Sequence, residues 1–225
     1  MPAMDEKTRE ALRRRLHESL RDDVELTLYR RPDTGRLVLP TGYGCQTCDV
    51  TQEVAQELVD ASSGKVKLAI VDVVDSGLDE PVPMLTVGEP GSNARIRFQG
   101  LPSGYEFASL LEAVERVSAR DAGLTDSTSS RLATLESEVE VMVFVTPTCP
   151  YCPGAASMAS RLAMASERVK AVVVEANEFP DLSAQFKVQG VPRTVINRSG
   201  SFVGALPEEA FVDAVLQLAG SPESA

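Results

Sequence analysis

Val143-Phe144-Val145-Thr146-Pro147-Thr148-Cys149-Pro150-Tyr151-Cys152-Pro153 runs from a buried-strand pattern through a Thr-Pro turn into two cysteines at CxxC spacing. Beyond them Met158, Leu162 and Ala165 recur at helical spacing, so the spacing predicts a helix over about 153–167 with the cysteine pair at its start. Residues three apart on a first helical turn face one side, and the resulting Cα separation of about 5–6 Å suits a disulfide. Unpaired backbone N–H groups and the helix dipole favour negative charge there, which lowers the thiol pKa of the first cysteine. The thiolate is the nucleophile in disulfide exchange, so Cys149 is the expected attacking group and Cys152 the resolving one. Pro150 and Tyr151 stiffen the turn and tune its potential.

A second pair with the same spacing, Cys45-Gln46-Thr47-Cys48, lies 104 residues earlier, and these four are all the cysteines of the chain. The flanks repeat as well. Leu101-Pro102 and Leu206-Pro207 lie 105 residues apart, and Val82-Pro83 and Val191-Pro192 lie 109 apart, each Val-Pro just before a hairpin-like stretch. In the first half the pattern predicts an amphipathic helix over 5–22, a strand at 24–28, a turn at Pro32-Asp33-Thr34-Gly35 and a short apolar run Leu37-Val38-Leu39. After Cys48 come a helix to about Gly64, a β-rich run 66–74, a hairpin joining 84–87 to 94–98, and a helix over 103–119. In the second half a helix runs from Asp126 or Ser127, either of which caps it, to about 138. Strands at 141–145 and 169–174, a short helix at 182–188, a hairpin joining 194–197 to 202–205 and a helix from Pro207 to 219 follow, with Pro207 in the first turn. The order strand, CxxC, helix, strand, helix, strand, strand, helix is that of a thioredoxin-like unit, with a right-handed crossover between parallel strands. The expected fold is α/β: two tandem thioredoxin-like units, residues 1–119 and 120–225, with mixed central sheets flanked by helices.

Composition narrows the chemistry. The 225 residues are 43% hydrophobic, enough for a core in each unit, and no window reaches the roughly 20 apolar residues of a membrane span. The first residues lack a basic region followed by an apolar one, so no secretory signal is expected and the cytoplasm is the expected compartment. A reducing cytosol favours catalytic or metal-binding cysteines over structural staples. The net charge of −11 and the lack of a basic cluster beyond Arg13-Arg14-Arg15 argue against nucleic acid as a partner. A Cys₄ zinc site usually has a loop of about 15–20 residues between its pairs, whereas 100 residues lie between Cys48 and Cys149. The single histidine, His17, provides neither a Cys₂His₂ site nor a Cys–His dyad. An iron–sulfur cluster shared by two copies through one CxxC is a remaining metal alternative. Pro192 reads either as a cis proline that turns the Val191 backbone toward the sulfurs, where it can bind an extended substrate, or as a trans proline breaking an edge strand.

The stretch around Cys149-Pro150-Tyr151-Cys152 resembles the second active site of the protein disulfide oxidoreductases, glutaredoxin-like proteins of two fused thioredoxin-fold units. Arg97-Phe98-Gln99-Gly100-Leu101-Pro102-Ser103-Gly104-Tyr105-Glu106-Phe107 is similar to the segment closing that family's first unit, and Cys45-Gln46-Thr47-Cys48 to its first dithiol. The resemblance implies two units joined through one continuous sheet and dithiol–disulfide exchange on protein substrates. It implies no bound cofactor, with electrons from NADPH supplied by a flavin-containing thioredoxin reductase. It also implies Cys149 and Cys152 as nucleophile and resolver, Pro192 as a cis proline beside Val191, and the same parts for Cys45, Cys48, Val82 and Pro83. The first unit departs from the pattern. The 32–35 turn suggests an added hairpin, and the short interval between Val74 and Pro83 suggests a lost helix and an altered substrate groove. Its dithiol either cycles or is a vestigial, stabilising pair. Positions six residues before each first cysteine are Leu39 and Val143, so the strand aspartate of thioredoxins is absent and no replacement proton acceptor is evident. A redox-controlled binding scaffold without turnover and a dedicated electron donor to a peroxidase are the alternative functions.

Overall fold

Alternation of Val24, Leu26 and Leu28 with Glu25, Thr27 and Tyr29 gives strand β1 (Val24–Arg30) one fully buried face and one half-buried face. By contrast β5 (Val139–Val145) is apolar on both faces, as a central strand covered on both sides must be, and only Glu140 of its residues is not buried. These two strands are the centres of a repeated arrangement in the computed structural model, which describes residues 4–31, 45–73 and 80–220.

The first half contains α1 (Glu6–Ser19), β1, α2 (Cys48–Ala61), β2 (Val66–Asp72), β3 (Met84–Gly88), β4 (Ile96–Gln99) and α3 (Glu106–Ala119). The second contains α4 (Asp126–Leu132), β5, α5 (Cys152–Ala165), β6 (Val169–Glu175), α6 (Pro180–Gln185), β7 (Arg193–Ile196), β8 (Gly200–Val203) and α7 (Glu208–Ala219). All eight strands form one sheet in the order β2-β1-β3-β4-β6-β5-β7-β8. β1–β2 and β5–β6 are parallel, while β1–β3, β3–β4, β5–β7 and β7–β8 are antiparallel. The halves meet where β4 pairs in parallel with β6, Ile96 opposite Ala171 and Gln99 opposite Val174. The expected mixed α/β fold and continuous sheet are both found.

One apolar cluster crosses this seam. Leu110, Val114 and Val117 of α3 belong to the same cluster as Ala155, Ala159 and Leu162 of α5, with Phe98 and Val173 from the joining strands. On the opposite face of the second half, Met142, Phe144, Val172, Val174 and Val195 are covered by Phe179, Leu182, Phe186 and Val188. Phe144 and Phe186 stack at 5.7 Å between ring centres.

Several element ends differ from the expectation, each for a local reason. The α4 helix is capped by Thr125, whose hydroxyl accepts from the Thr128 N–H at 3.2 Å, and not by Asp126 or Ser127. It stops at Leu132 and does not reach 138; Thr128 and Leu132 are its buried residues. Pro180, with its fixed φ, starts α6 earlier than the expected 182, and Lys187 at φ 52° lies beyond its end. Pro207 has extended ψ 157° and is the cap residue of α7, outside its first turn. The 103–119 helix starts at Glu106, after Gly104 at φ 59°. The expected turn at 32–35, the apolar run 37–39 and the interval from Val74 to 79 lie outside the described residues. Among the described residues no helix is long and apolar enough to cross a membrane.

Candidate active site

Cys149 closes the turn after β5, its N–H donating to the Thr146 carbonyl at 3.1 Å, and Cys152 is the first residue of α5. Cys45 stands in the equivalent place before Cys48, the first residue of α2. Both pairs form disulfides with a Cα separation of 5.5 Å. Their sulfurs are unequally placed. Cys152 is 0% exposed and Cys149 8%, while Cys48 is 2% exposed and Cys45 is half-buried. In each pair the first cysteine is the more exposed of the two.

Around the second pair, Pro150 and Tyr151 form an exposed rim, with Tyr151 73% exposed. The Val191 carbonyl oxygen lies 3.8 Å from Cys149 Sγ. Val191–Pro192 and Val82–Pro83 are both cis peptides, which resolves the open choice at Pro192. Around the first pair an open groove of about 700 Å³ contains Cys45, Gln46, Thr47 and Val82. Its far wall is Asn177 to Leu182, from the second half of the chain. A groove therefore exists at the first dithiol, with a wall that the repeat pattern did not indicate.

Sequence reasoning missed two buried carboxylates at the seam. Glu106 at the start of α3 is 2% exposed and Glu175 at the end of β6 is 5% exposed, beside a small apolar cavity lined by Phe98, Leu101, Val145 and Val173. Burial pushes the Glu106 carboxyl up to about 7, partly offset by the Ser109 hydroxyl donating to it at 3.0 Å and reinforced by the charge of Glu175. Among the described residues nothing hydrogen-bonds to Glu106 Oε1. Burial also raises the Glu175 pKa, opposed by N–H donors from Glu178 at 2.7 Å and the Asn177 side chain at 2.9 Å. The first turn of α3 is tied to the turn before Cys149, since the Tyr105 N–H donates to the Pro147 carbonyl at 3.0 Å. The strand position Val143 is fully buried and apolar, as read, while Leu39 lies outside the described residues. Glu106 and Val145 line the same small cavity at the seam. The available signals were faint: a glutamate beside Phe107 at a helix start, and one ending the run Val172-Val173-Val174.

Glu106 has a measurable consequence. Its folded carboxyl binds a proton up to about pH 7, whereas its ordinary value is 4.5. The folded state thus holds more protons between these values, and stability is lost as pH rises through that window. Glu106→Gln should flatten this loss and stabilise the chain at pH 8 by on the order of 1–3 kcal/mol relative to its effect at pH 4.5. Urea unfolding at the two pH values measures it, and identical pH profiles for parent and variant would exclude the assignment.

The thioredoxin domain family model matches residues 139–217. The structure superposes on a protein disulfide oxidoreductase from Aeropyrum pernix with a TM-score of 0.83 and 29% identity, covering 98% of this chain and 96% of that one. It also superposes on the N-terminal domain of an alkylhydroperoxide reductase from Enterococcus faecalis with a TM-score of 0.80 and 22% identity, covering 94% and 99%. Among curated relatives, an alkyl hydroperoxide reductase polypeptide of Pseudomonas putida is 26% identical over 121 residues, 54% of this chain and 23% of the relative. The chain thus spans about a quarter of the curated relatives it matches. Residues 139–217 match the thioredoxin domain model, and the chain as a whole has a fold similar to that of the Aeropyrum pernix protein disulfide oxidoreductase.

Proposed function

We propose that the chain is a thiol–disulfide oxidoreductase acting on protein disulfides, with residues 1–119 and 120–225 as its two units. The unequal burial of paired sulfurs at a helix start is the observation that carries this reading. The reduced Cys149 thiolate attacks one sulfur of a substrate disulfide, forming a mixed disulfide while the other substrate sulfur leaves as a thiolate and takes a proton. Cys152, once deprotonated, attacks the Cys149 sulfur, closes the internal disulfide and releases the second substrate thiolate. The substrate gains two electrons and two protons, and the dithiol loses them. Pro150, Tyr151, Val191 and Pro192 border the docked substrate at this site. Val82 and Pro83 do so beside Cys45 and Cys48, which cycle by the same exchange.

Reduction of the spent disulfide draws electrons from NADPH through a flavin thioredoxin reductase, in the cytoplasm, with no cofactor bound to this chain. A second reading, electron donation to a peroxidase, is favoured by the sequence match to the Pseudomonas putida alkyl hydroperoxide reductase. It changes the partner and leaves the chemistry as written. Cys152→Ser separates these partners, because it removes the resolving thiol and should strand substrates on Cys149 as mixed disulfides. Reductant-sensitive adducts identified by mass spectrometry are the expected result. Recovery of no adduct above the Cys149→Ser/Cys152→Ser control would overturn the reading.

A further inference from the structure

Among the residues by which the second unit borders the first dithiol, Glu178 is hydrogen-bonded to the CxxC turn itself. Glu178, three residues beyond β6, accepts the Thr47 hydroxyl at 2.5 Å and the Leu101 N–H at 2.7 Å. Thr47 is the residue between Gln46 and Cys48, and it occupies the cap position of α2, where a threonine hydroxyl ordinarily accepts from the helix N–H groups. Here it makes no such cap bond and is turned to the carboxylate. Gly100, at φ 92°, makes the approach possible, since a Cβ there would stand 2.7 Å from Glu175 Cβ and 3.2 Å from the Glu178 carboxyl. Glu178 and Cys45 face the same groove.

We propose that Glu178 is a positioning residue for the Cys45–Cys48 site, held there by Thr47, and that its negative charge makes the first disulfide harder to reduce than it would otherwise be. The inference rests on the reading of both pairs as exchange-competent dithiols. Reduction by glutathione converts the protein disulfide and two glutathione thiols into the protein dithiol and glutathione disulfide, so electrons and protons balance. Any stabilisation of the Cys45 thiolate pulls this equilibrium toward the dithiol. A carboxylate held in the same groove, on the residue next to Cys48, does the opposite and cancels part of the attraction of the α2 N-terminus. Arg31, Glu80 and Asp181 also line the groove and are unchanged in the test below.

The test equilibrates the intact chain in glutathione buffers and reads both dithiols in each sample by differential alkylation and mass spectrometry. Glu178→Gln removes the charge; its one carbonyl oxygen can keep the Leu101 N–H while its amide N–H donates to the Thr47 hydroxyl. The equilibrium constant for reduction of Cys45–Cys48 should rise about three- to tenfold, tenfold being about 30 mV, with that of Cys149–Cys152 changing less than about twofold. Thr47→Val frees the carboxylate and should move the first dithiol in the same direction by less. The double variant should match Glu178→Gln alone. No shift in either variant, or an equal shift at both dithiols, would overturn the proposal. The equilibrium uses no protein substrate, so absent catalytic turnover would sink the proposed function while leaving this result readable.

Discussion

Cys149→Ser should reduce dithiothreitol-driven insulin reduction by at least about tenfold, whereas Cys45→Ser should lower it by less than about threefold. The asymmetry follows from the surroundings of the two pairs. Cys149 stands at a rim of Pro150, Tyr151 and the Val191 carbonyl. Cys45 faces an open groove whose lining carries Glu80, Glu178 and Asp181 together with Arg31, and among the described residues it has no such rim. Replacing sulfur by a hydroxyl removes the only atom at position 149 that can act as an exchanging nucleophile. Equal losses in the two variants would mean that the dithiols work in series. Full activity in Cys149→Ser would remove the second dithiol from the mechanism. Stoichiometric thiol oxidation without turnover in the parent protein would favour a redox-controlled scaffold.

Gly104→Val should destabilise the chain by about 3 kcal/mol and slow alkylation of reduced Cys149 relative to reduced Cys45. Gly104 holds φ 59°, a left-handed conformation that a β-branched residue adopts at a cost of roughly 1–2 kcal/mol. A Cβ at this position would also collide with the Pro147 carbonyl oxygen, which is backbone and cannot swing aside. That same oxygen accepts the Tyr105 N–H at 3.0 Å, so relief of the collision must move the turn that carries Cys149. For a chain of 225 residues the expected melting shift is about 6–12 °C. A loss below about 0.5 kcal/mol in urea unfolding would show that the two segments separate freely.

The contact between Gly104 and Pro147 and that between Thr47 and Glu178 have the same form. In each, one half of the chain holds the loop before the other half's helix. Reading the repeat as two self-contained units does not predict this. It follows from the parallel pairing of β4 with β6, which brings the segments after both strands to one end of the sheet.

What was legible in the residues was local. The valine-rich run 141–145, the alternation in 24–28 and the helical spacing after each CxxC each answer to a period of two or of 3.6, so these strands and helices were placed to within a few residues. The spacing of Cys149 and Cys152 at a helix start also sets their 5.5 Å separation without help from the rest of the chain. Cap choice at Thr125 was less legible, because neighbouring Asp126 and Ser127 carry equally good acceptors.

The sequence by itself therefore determined the two dithiols, the order of elements and the α/β class, since backbone geometry and hydrophobic period act over a few residues. Tertiary structure alone decided which residues share the cavity at the seam, where Glu106, Val145 and Glu175 line one space. It also decided the protonation of Glu106 and the reach of Glu178 to Thr47. Desolvation and side-chain hydrogen bonds between residues 131 positions apart depend on which surfaces the folded sheet brings together.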